Sequence, residues 1–596
     1  MPSYIKPFSS NFPSDDTQFL YSKGALTPPR SELRYALLES YINWIHPICP
    51  LLDLGHFLSA LLSNGSEGQI SLLLFHAVMF AGSAFVDMSY LQAAGFESRI
   101  AAREHLFIRT KLVYDFKYED DRLRIVQSLL LMSYWQEKHE DSTNHWYWVA
   151  VACLVARTIG LFRNPAGSKM SEERQKLWKR VGWSCLLRDR VLSLGVRQRP
   201  KILVTEFELP LLEETDFEIV TLPTTAINTA AAVVLGHCKF LRDTVLQQKL
   251  ALLCIEKAKL CIFIEEIFRK HYIELSPKLG MTTEITNVLF PKTHTLDLES
   301  TTNIETNLQI WLQQFPERLQ YAPDSEPRLD RGEDVLVVHS TLLKMLYHTI
   351  TCALNHPVLL NLSSQSTAPE NDLRIVKRRM RHSTVQIMRH FEDLQNLGLI
   401  CFLPSASVTM LLTAAINHLV EYRTSSQEHG ERYLRHFWDC ICYLKPLQSV
   451  HIYAQIASHF LYSVAQQVGV RMMDPFLREK SDDLGVWASV HMPGHLLQKP
   501  LERRPEPVAF QVGGLDYNHA SLPHQSVLHT YNGQDGGESP LTTAEEDSIT
   551  TEGISVPQVT GHAPPLSDVF NYQPLWNMWG SQYFEELTGC HYLPQN

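Results

Sequence analysis

The sequence predicts an all-α fold: a single large multi-helix domain over residues 31–480, preceded by a disordered N-terminal leader and followed by an acidic C-terminal tail. Three observations predict it. Apolar residues recur at helical spacing in segment after segment. Alternating strand-like runs bounded by hairpin turns are scarce. The breaks between segments are Gly, Pro or polar clusters such as "SNGSEG", "FRNPAGSK" and "SSQSTAPEND".

Residues 1–30, ending "GALTPPR", are polar and Pro-containing and read as the leader. From Ser31, "SELRYALLESYINWIHPICP" puts Leu33, Ala36, Leu37, Tyr41 and Trp44 on one face, and Pro47 and Pro50 stop the helix. Further helices are expected at 54–63, 70–87, 97–116, 120–137, 144–161, 173–195 and 225–273. The series continues at 302–314, 333–353, 372–397, 405–424, 428–444 and 449–471. The longest apolar run, 71–86, has sixteen residues and contains His76. That is short of the ~20 a membrane span needs and suits a buried helix.

Beyond about residue 480 the character changes. A segment over 481–565, rich in Pro, Ser, Thr, Gly and His, reads as a disordered linker. Residues 566–596 contain "LSDVFNYQPLWNMWGSQYFEELTG", where Trp576, Trp579, Tyr583 and Leu587 follow helical spacing among acids. This segment either docks on the body as a helix or is an activation segment that folds on a partner.

Charge narrows the function. The formal net charge is −11, but residues 505–596 hold eleven of the 64 acids and no Lys or Arg, leaving 53 acids to match 53 bases. A neutral body gives no bulk argument for nucleic-acid binding. The N-terminus has no apolar secretory segment, so the eleven cysteines are expected to be reduced.

Motifs for chemistry are missing. There is no Walker A, G-x-G-x-x-G, G-x-S-x-G, H-E-x-x-H or C-x2-C pattern. Cys254 and Cys261 share a helical face and read as core thiols. The expectation is therefore no catalytic, cofactor-binding or metal site.

One stretch raises the question of nucleic acid directly: "RVGWSCLLRDRVLSLGVRQRPKI", residues 180–202, with five arginines and a lysine. On a helix, Trp183, Leu187, Val191 and Leu194 form an apolar stripe, and Arg190 falls about 20° from Trp183 on it. Arg188 points nearly away. A buried Arg190 must be paired. No acid shares its face within four residues, so its partner is expected from another segment, while Asp189 on the flank pairs elsewhere. Gly195 is the expected C-cap, with Pro200 preventing continuation. A DNA-reading helix would line its polar face with bases; this one aims an arginine into its apolar face, which points to a structural role. The run "KRRMRH", 377–382, is either a nuclear-import signal or a solvated helix face.

Several segments together resemble a known family: "LLLFHAVMFAGSAFVD" (72–87), "LVYDFKYEDDRLRIVQSLLLMSYW" (112–135), "HWYWVAVACLVARTIGLFRNP" (145–165), "WKRVGWSCLLRDRVLSLGVRQRPKI" (178–202) and "LLKMLYHTITCALNHPVLL" (342–360). In order and spacing they resemble the fungal-specific transcription factor regulatory domain, the middle homology region of zinc-cluster transcription factors, closest to the cutinase transcription factor group. The resemblance covers about 41–470. Ala156, Arg157, Gly160 and Leu161 match the family's Trp-then-Ala-Arg-x-x-Gly-Leu helix. Trp183, Asp189, Arg190, Gly195, Arg199 and Pro200 match its Trp…Asp-Arg…Gly…Arg-Pro signature. Full members begin with a six-cysteine zinc cluster that binds DNA; here no cysteine precedes Cys49.

The resemblance implies a non-enzymatic regulator of RNA polymerase II transcription, acting in the nucleus with or without shuttling through the cytoplasm, on metabolic genes. It implies no cofactor in this chain, zinc entering only with an N-terminal cluster. The implied partners are the transcription machinery or a coactivator through the tail, and a homo- or heterodimer with a zinc-cluster relative. DNA is reached indirectly or through an N-terminal cluster, and no membrane is involved. Two alternatives stay open: a helical scaffold that sequesters a DNA-binding relative, and a helical enzyme with an unrecognised site.

Overall fold

The computed structural model describes residues 1–470, apart from 8–12, 136–144, 223–229, 277–286, 293–295, 320–331, 365–368, 426 and 469. The expected linker at 481–565 and the tail with Trp576, Trp579, Tyr583 and Leu587 lie outside the described residues.

Among the described residues the fold is all-α apart from one short hairpin. The first eight helices are α1 (Ser14–Ser22), α2 (Ser31–Trp44), α3 (Leu54–Leu62), α4 (Leu72–Gly82), α5 (Met88–Ala93), α6 (Arg99–Asp115), α7 (Arg122–Met132) and α8 (His145–Thr158). Next come α9 (Glu172–Val196), α10 (Ala230–Leu235), α11 (Lys239–Arg242), α12 (Thr244–His271), β1 (Tyr272–Leu275) and β2 (Val288–Pro291). The last are α13 (Leu298–Gln313), α14 (Glu333–Ser364), α15 (Glu370–Asn396), α16 (Ala406–Thr424), α17 (Gln427–Gln448) and α18 (Ile452–Gln467).

The helix starts are written into the sequence. Asp53, Ser71, Ser98, Asp121, Ser171, Asp243 and Asp297 each stand just before a helix and accept a first-turn backbone N–H. Each such cap stabilises its helix by ~1 kcal/mol. α4 is buried along its whole length, which is why the 71–86 run reads as apolar without a face. It packs against α2, α6 and α7, and α7 in turn packs on α8. In the second half α12 lies against α14, and α14, α15, α16, α17 and α18 then pack in succession. α9 joins the halves, touching α7, α8, α12 and α16.

α14 is long and apolar enough to cross a membrane by length and composition, but 89% of its apolar window is buried inside the fold. It is a core helix. It also runs through Pro357, and α17 runs through Pro446. A proline removes one helical hydrogen bond. Here Leu354, Val358 and Leu360 pack on both sides of Pro357, so the helix continues past the expected end at 353.

Other segments depart further from the sequence reading, among them α5, which falls between the helices expected at 70–87 and 97–116. The described part of residues 1–30, expected to be flexible, is packed: α1 buries Leu20, Ala25 and Leu26 are buried behind it, and Ile5 pairs with Ile70. Five apolar residues, Tyr4, Ile5, Leu20, Ala25 and Leu26, spaced through a polar stretch are enough to dock it. The helix expected over 225–273 is divided into α10, α11 and α12. The turn between α11 and α12 falls at Asp243, whose side chain caps α12 through the Val245 and Leu246 amides. The hairpin β1–β2, antiparallel with Tyr272 opposite Pro291 and Leu275 opposite Val288, was not expected. Its four-residue strands are too short to show a period in the sequence.

Candidate functional site

Four of the six basic residues in the 180–202 stretch are interior: Arg180, Arg188, Arg190 and Arg197 are 2%, 6%, 1% and 3% exposed. Over 180–190 α9 is therefore buried around its circumference; Arg180, Arg188 and Arg190 face protein carbonyls, and Arg197 lies over the Phe268 and Tyr272 rings. Arg180 donates to the Asp216 carbonyl at 2.6 Å and the Leu52 carbonyl at 3.0 Å, and pairs with Glu218 at 2.6 Å. Arg188, expected to point outward, donates to the Ser133 hydroxyl at 2.9 Å and its carbonyl at 2.6 Å, and lies 4.0 Å over the Tyr134 ring.

Arg190 is buried as expected, but its partner is not on another segment. Arg190 Nη1 donates to Asp189 Oδ2 at 2.6 Å, and Nη2 donates to the Ile202 carbonyl at 2.8 Å. Asp189 does not pair with a different base. Its carboxylate accepts the Lys201 N–H at 2.8 Å and the Ile202 N–H at 3.1 Å. Burial pushes the Asp189 carboxyl up, and the Arg190 charge and the two amides pull it back down. Adjacent residues 100° apart on a helix meet here because both side chains reach toward the strand of chain that follows α9.

That following segment is fastened from α8 as well. Arg157 Nε and Nη2 pair with Glu206 at 2.9 and 2.7 Å, and Nη2 also donates to the Lys201 carbonyl at 2.5 Å. The pair raises Arg157 and lowers Glu206 from their ordinary values. Trp183 Nε1 donates to the Pro210 carbonyl at 2.8 Å, and its ring meets Phe207 edge-on at 5.0 Å. α8 itself ends as the signature requires: Gly160 takes φ +66° and the Leu161 N–H returns to the Ala156 carbonyl at 3.0 Å, with Ala156 and Leu161 fully buried.

Gly195 is not the C-cap. α9 continues to Val196, and Arg197 takes the left-handed position at φ +50°. Gly195 is small for another reason: a Cβ there would stand 2.8 Å from Thr409 Oγ1 on α16. Pro200 is buried. Arg199 is the exposed member of the signature, with 66% of its side chain open and Glu274 of β1 at 3.8 Å. The structure thus gathers Arg157, Trp183, Asp189 and Arg190 around residues 201–210, and leaves Arg199 outside that cluster.

The run 377–382 lies on α15. Met380 is buried, Arg379 pairs with Glu305 at 2.6 Å, and Arg381 pairs with Glu421 at 2.5 Å. Two of its arginines are thus committed to other helices.

Two cavities open beside this helix, neither visible in the sequence. One, about 440 Å³, lies between α13, α14 and α15, and the Arg379–Glu305 pair lines it. The other, about 280 Å³, lies among α14, α15, α16 and α17. Among the described residues, Lys377, Arg381 and Arg432 line it with one acid, Glu421. Leu359, Leu360, Met380, Val385 and Val420 supply its apolar wall. Thr384, Asn417 and His418 are the buried polar residues among its described lining, 2%, 5% and 2% exposed. Asn417 Nδ2 donates to Thr384 Oγ1 at 3.1 Å, whereas Asn417 Oδ1 and His418 Nε2 have no hydrogen-bond partner among the described residues. Burial, with a smaller contribution from His436, pulls His418 down to about 3, so its imidazole is neutral. The sequence hint was His418 inside the apolar run "MLLTAAINHLVEY"; nothing in the sequence joined it to Arg432 on the next helix. Among the described residues no group of three or more His, Cys, Asp and Glu is placed to hold a metal ion.

Residues 38–321 match the fungal specific transcription factor domain. The chain is 38% identical over 477 residues to cutinase transcription factor 1 beta of Fusarium vanettenii, covering 79% of this chain and 53% of that protein. It is 29% identical over 473 residues to transcription factor cpaR of Aspergillus oryzae, covering 77% and 76%. A shorter match, 26% over 196 residues, is to the acetamidase regulatory protein of Aspergillus fumigatus, covering 33% and 24%. The chain spans about half the length of cutinase transcription factor 1 beta. No solved structure matches it.

Proposed function

We propose that this chain, whose residues 38–321 belong to the fungal specific transcription factor domain family, is a nuclear regulator of RNA polymerase II transcription acting on metabolic genes. The observation that carries this reading is the 38% identity to a named transcription factor across 79% of the chain. The metabolic assignment draws support from two relatives named for enzymes, a cutinase and an acetamidase.

The protein acts by binding, not by catalysis. The helical body is the regulatory part. Its arginine-rich helix α9 spends its cations on internal carbonyls and carboxylates, so DNA is reached through a zinc-cluster reader, on the same polypeptide or on a dimeric relative. The segment carrying Trp576, Trp579, Tyr583 and Leu587 recruits a coactivator. The helical body works without a cofactor, and zinc enters only with the reader's cluster.

Chromatin immunoprecipitation of the tagged protein tests this. The expected result is enrichment at promoters of genes whose transcripts change when the gene is deleted. A protein that never enters the nucleus, or enters without promoter enrichment, would overturn the reading in favour of a sequestering scaffold.

A further inference from the structure

We propose that the cavity among α14, α15, α16 and α17 is a binding site for a small amphipathic carboxylate, one with an anionic head, a short apolar body and a hydroxyl group at the far end. The inference goes beyond the transcriptional reading and does not depend on it.

Charge fixes the head group. Among the described residues, Lys377, Arg381 and Arg432 line the cavity against one carboxylate, Glu421, which Arg381 already holds at 2.5 Å. Arg381 and Arg432 are exposed, so the excess positive charge sits at the rim. A carboxylate entering there gains two or three cationic partners, and Arg presents paired donors suited to it.

The wall fixes the body. Leu359 and Met380 belong to a small apolar cluster between α14 and α15 that is separate from the main core. That cluster forms one side of the cavity, with Val420 completing the wall. An inorganic anion would leave this surface wet. A short hydrocarbon chain covers it, as in ordinary ligand sites.

The deep end fixes the second polar group. Buried polar atoms are nearly always hydrogen-bonded. Asn417 Oδ1 and His418 Nε2 break that rule side by side in sequence, on two buried residues that both line this cavity. Asn417 Oδ1 can only accept. His418, kept neutral by burial, presents either a donor or an acceptor at Nε2 according to its tautomer. A ligand hydroxyl donates to the first and meets the second in either form. The volume, about 280 Å³, lies just below the ~300 Å³ where drug-sized sites begin, so the ligand is small.

The larger cavity carries less. Arg379 and Glu305 neutralise each other across it at 2.6 Å, leaving its field without a clear sign. The interior voids of 20–30 Å³ hold no more than a water molecule.

Calorimetric titration of the full chain with 6-hydroxyhexanoate, hexanoate and 1-hexanol tests the proposal. The expected order of affinity is that order, with the alcohol at least ~10-fold weaker than the hydroxy acid. Arg432→Gln, an exposed change that leaves the Arg381–Glu421 pair in place, should weaken both acids several-fold and leave the alcohol unchanged. Val385→Trp, also at an exposed position, should block all binding by filling the cavity without touching a charge. Circular dichroism of both variants checks that they fold. The proposal is overturned if no probe binds below ~10 mM, if all three bind alike, or if binding survives Val385→Trp, which would put the site elsewhere. Any of these leaves the promoter test untouched.

Discussion

Asp189→Ala should be among the most damaging single substitutions in this chain. The carboxylate is fully buried and serves three partners: Arg190 at 2.6 Å, the Lys201 amide at 2.8 Å and the Ile202 amide at 3.1 Å. Its removal leaves the Arg190 guanidinium, 1% exposed, with the Ile202 carbonyl alone. Breaking a buried pair from one side costs about 3–5 kcal/mol, because a charge is left uncompensated. The buried Ile202 N–H loses its acceptor as well, for about 1–3 kcal/mol more. The sum, about 4–8 kcal/mol, is comparable to the ~5–15 kcal/mol by which domains are stable. Urea denaturation read by tryptophan fluorescence should show the loss, since Trp183 fastens the same segment through Pro210. Replacing both members, as Asp189→Leu with Arg190→Met, should destabilise less than Asp189→Ala alone, because no orphaned charge remains and only the Lys201 and Ile202 amides lack their acceptor. An Asp189→Ala protein within about 1 kcal/mol of the parent would refute this account of the hub.

Other predictions concern packing, pH and the tail. Gly195→Val should cost about 1–3 kcal/mol by driving a side chain into Thr409; Thr409→Ala should recover part of it, and no recovery would remove the contact from the explanation. Stability should fall in acid. Burial holds His46, His145, His356 and His451 near 3 and His76 and His339 near 4. The unfolded chain takes up protons below ~6.5 that the folded chain refuses, so stability is full above that value and lost as pH falls toward the folded values, by up to ~1.4 kcal/mol per unit and group. A urea midpoint unchanged between about pH 7.5 and 5 would contradict this. Arg157→Ala should cost only about 1 kcal/mol, its pair with Glu206 being about a third exposed; a much larger thermal shift would mean that its bond to the Lys201 carbonyl dominates. Trp576→Ala with Trp579→Ala should abolish the activity of the tail in a reporter assay, and unchanged output would remove that segment from the mechanism.

Helix positions were legible because caps and breakers are local. Ser171 stands two residues before the expected start at 173, whereas the cap at Asp297 starts the helix expected from 302 already at Leu298. The helix expected to end at 353 runs on through Pro357 because packing on either side overrides that local breaker. Arg190 was legible as buried, since periodicity alone puts it beside Trp183. Its partner was not. Neighbours on a helix diverge, and only the chain returning past Ile202 turns both side chains the same way. Gly195 reads equally well as a terminus or as a close approach; Thr409, more than two hundred positions further on, decides between them. The cavity was the least legible feature. Its cations come from α15 and α17, its orphaned polar atoms from α16 and much of its apolar wall from α14, and no sequence pattern links four helices.

The central claim is regulation of transcription, and the most direct measurement joins the full chain to an unrelated DNA-binding domain and reads a reporter gene downstream of its site. The account predicts output different from that of the DNA-binding domain alone, with the difference lost when residues 566–596 are removed. Output equal to that of the DNA-binding domain alone would contradict it.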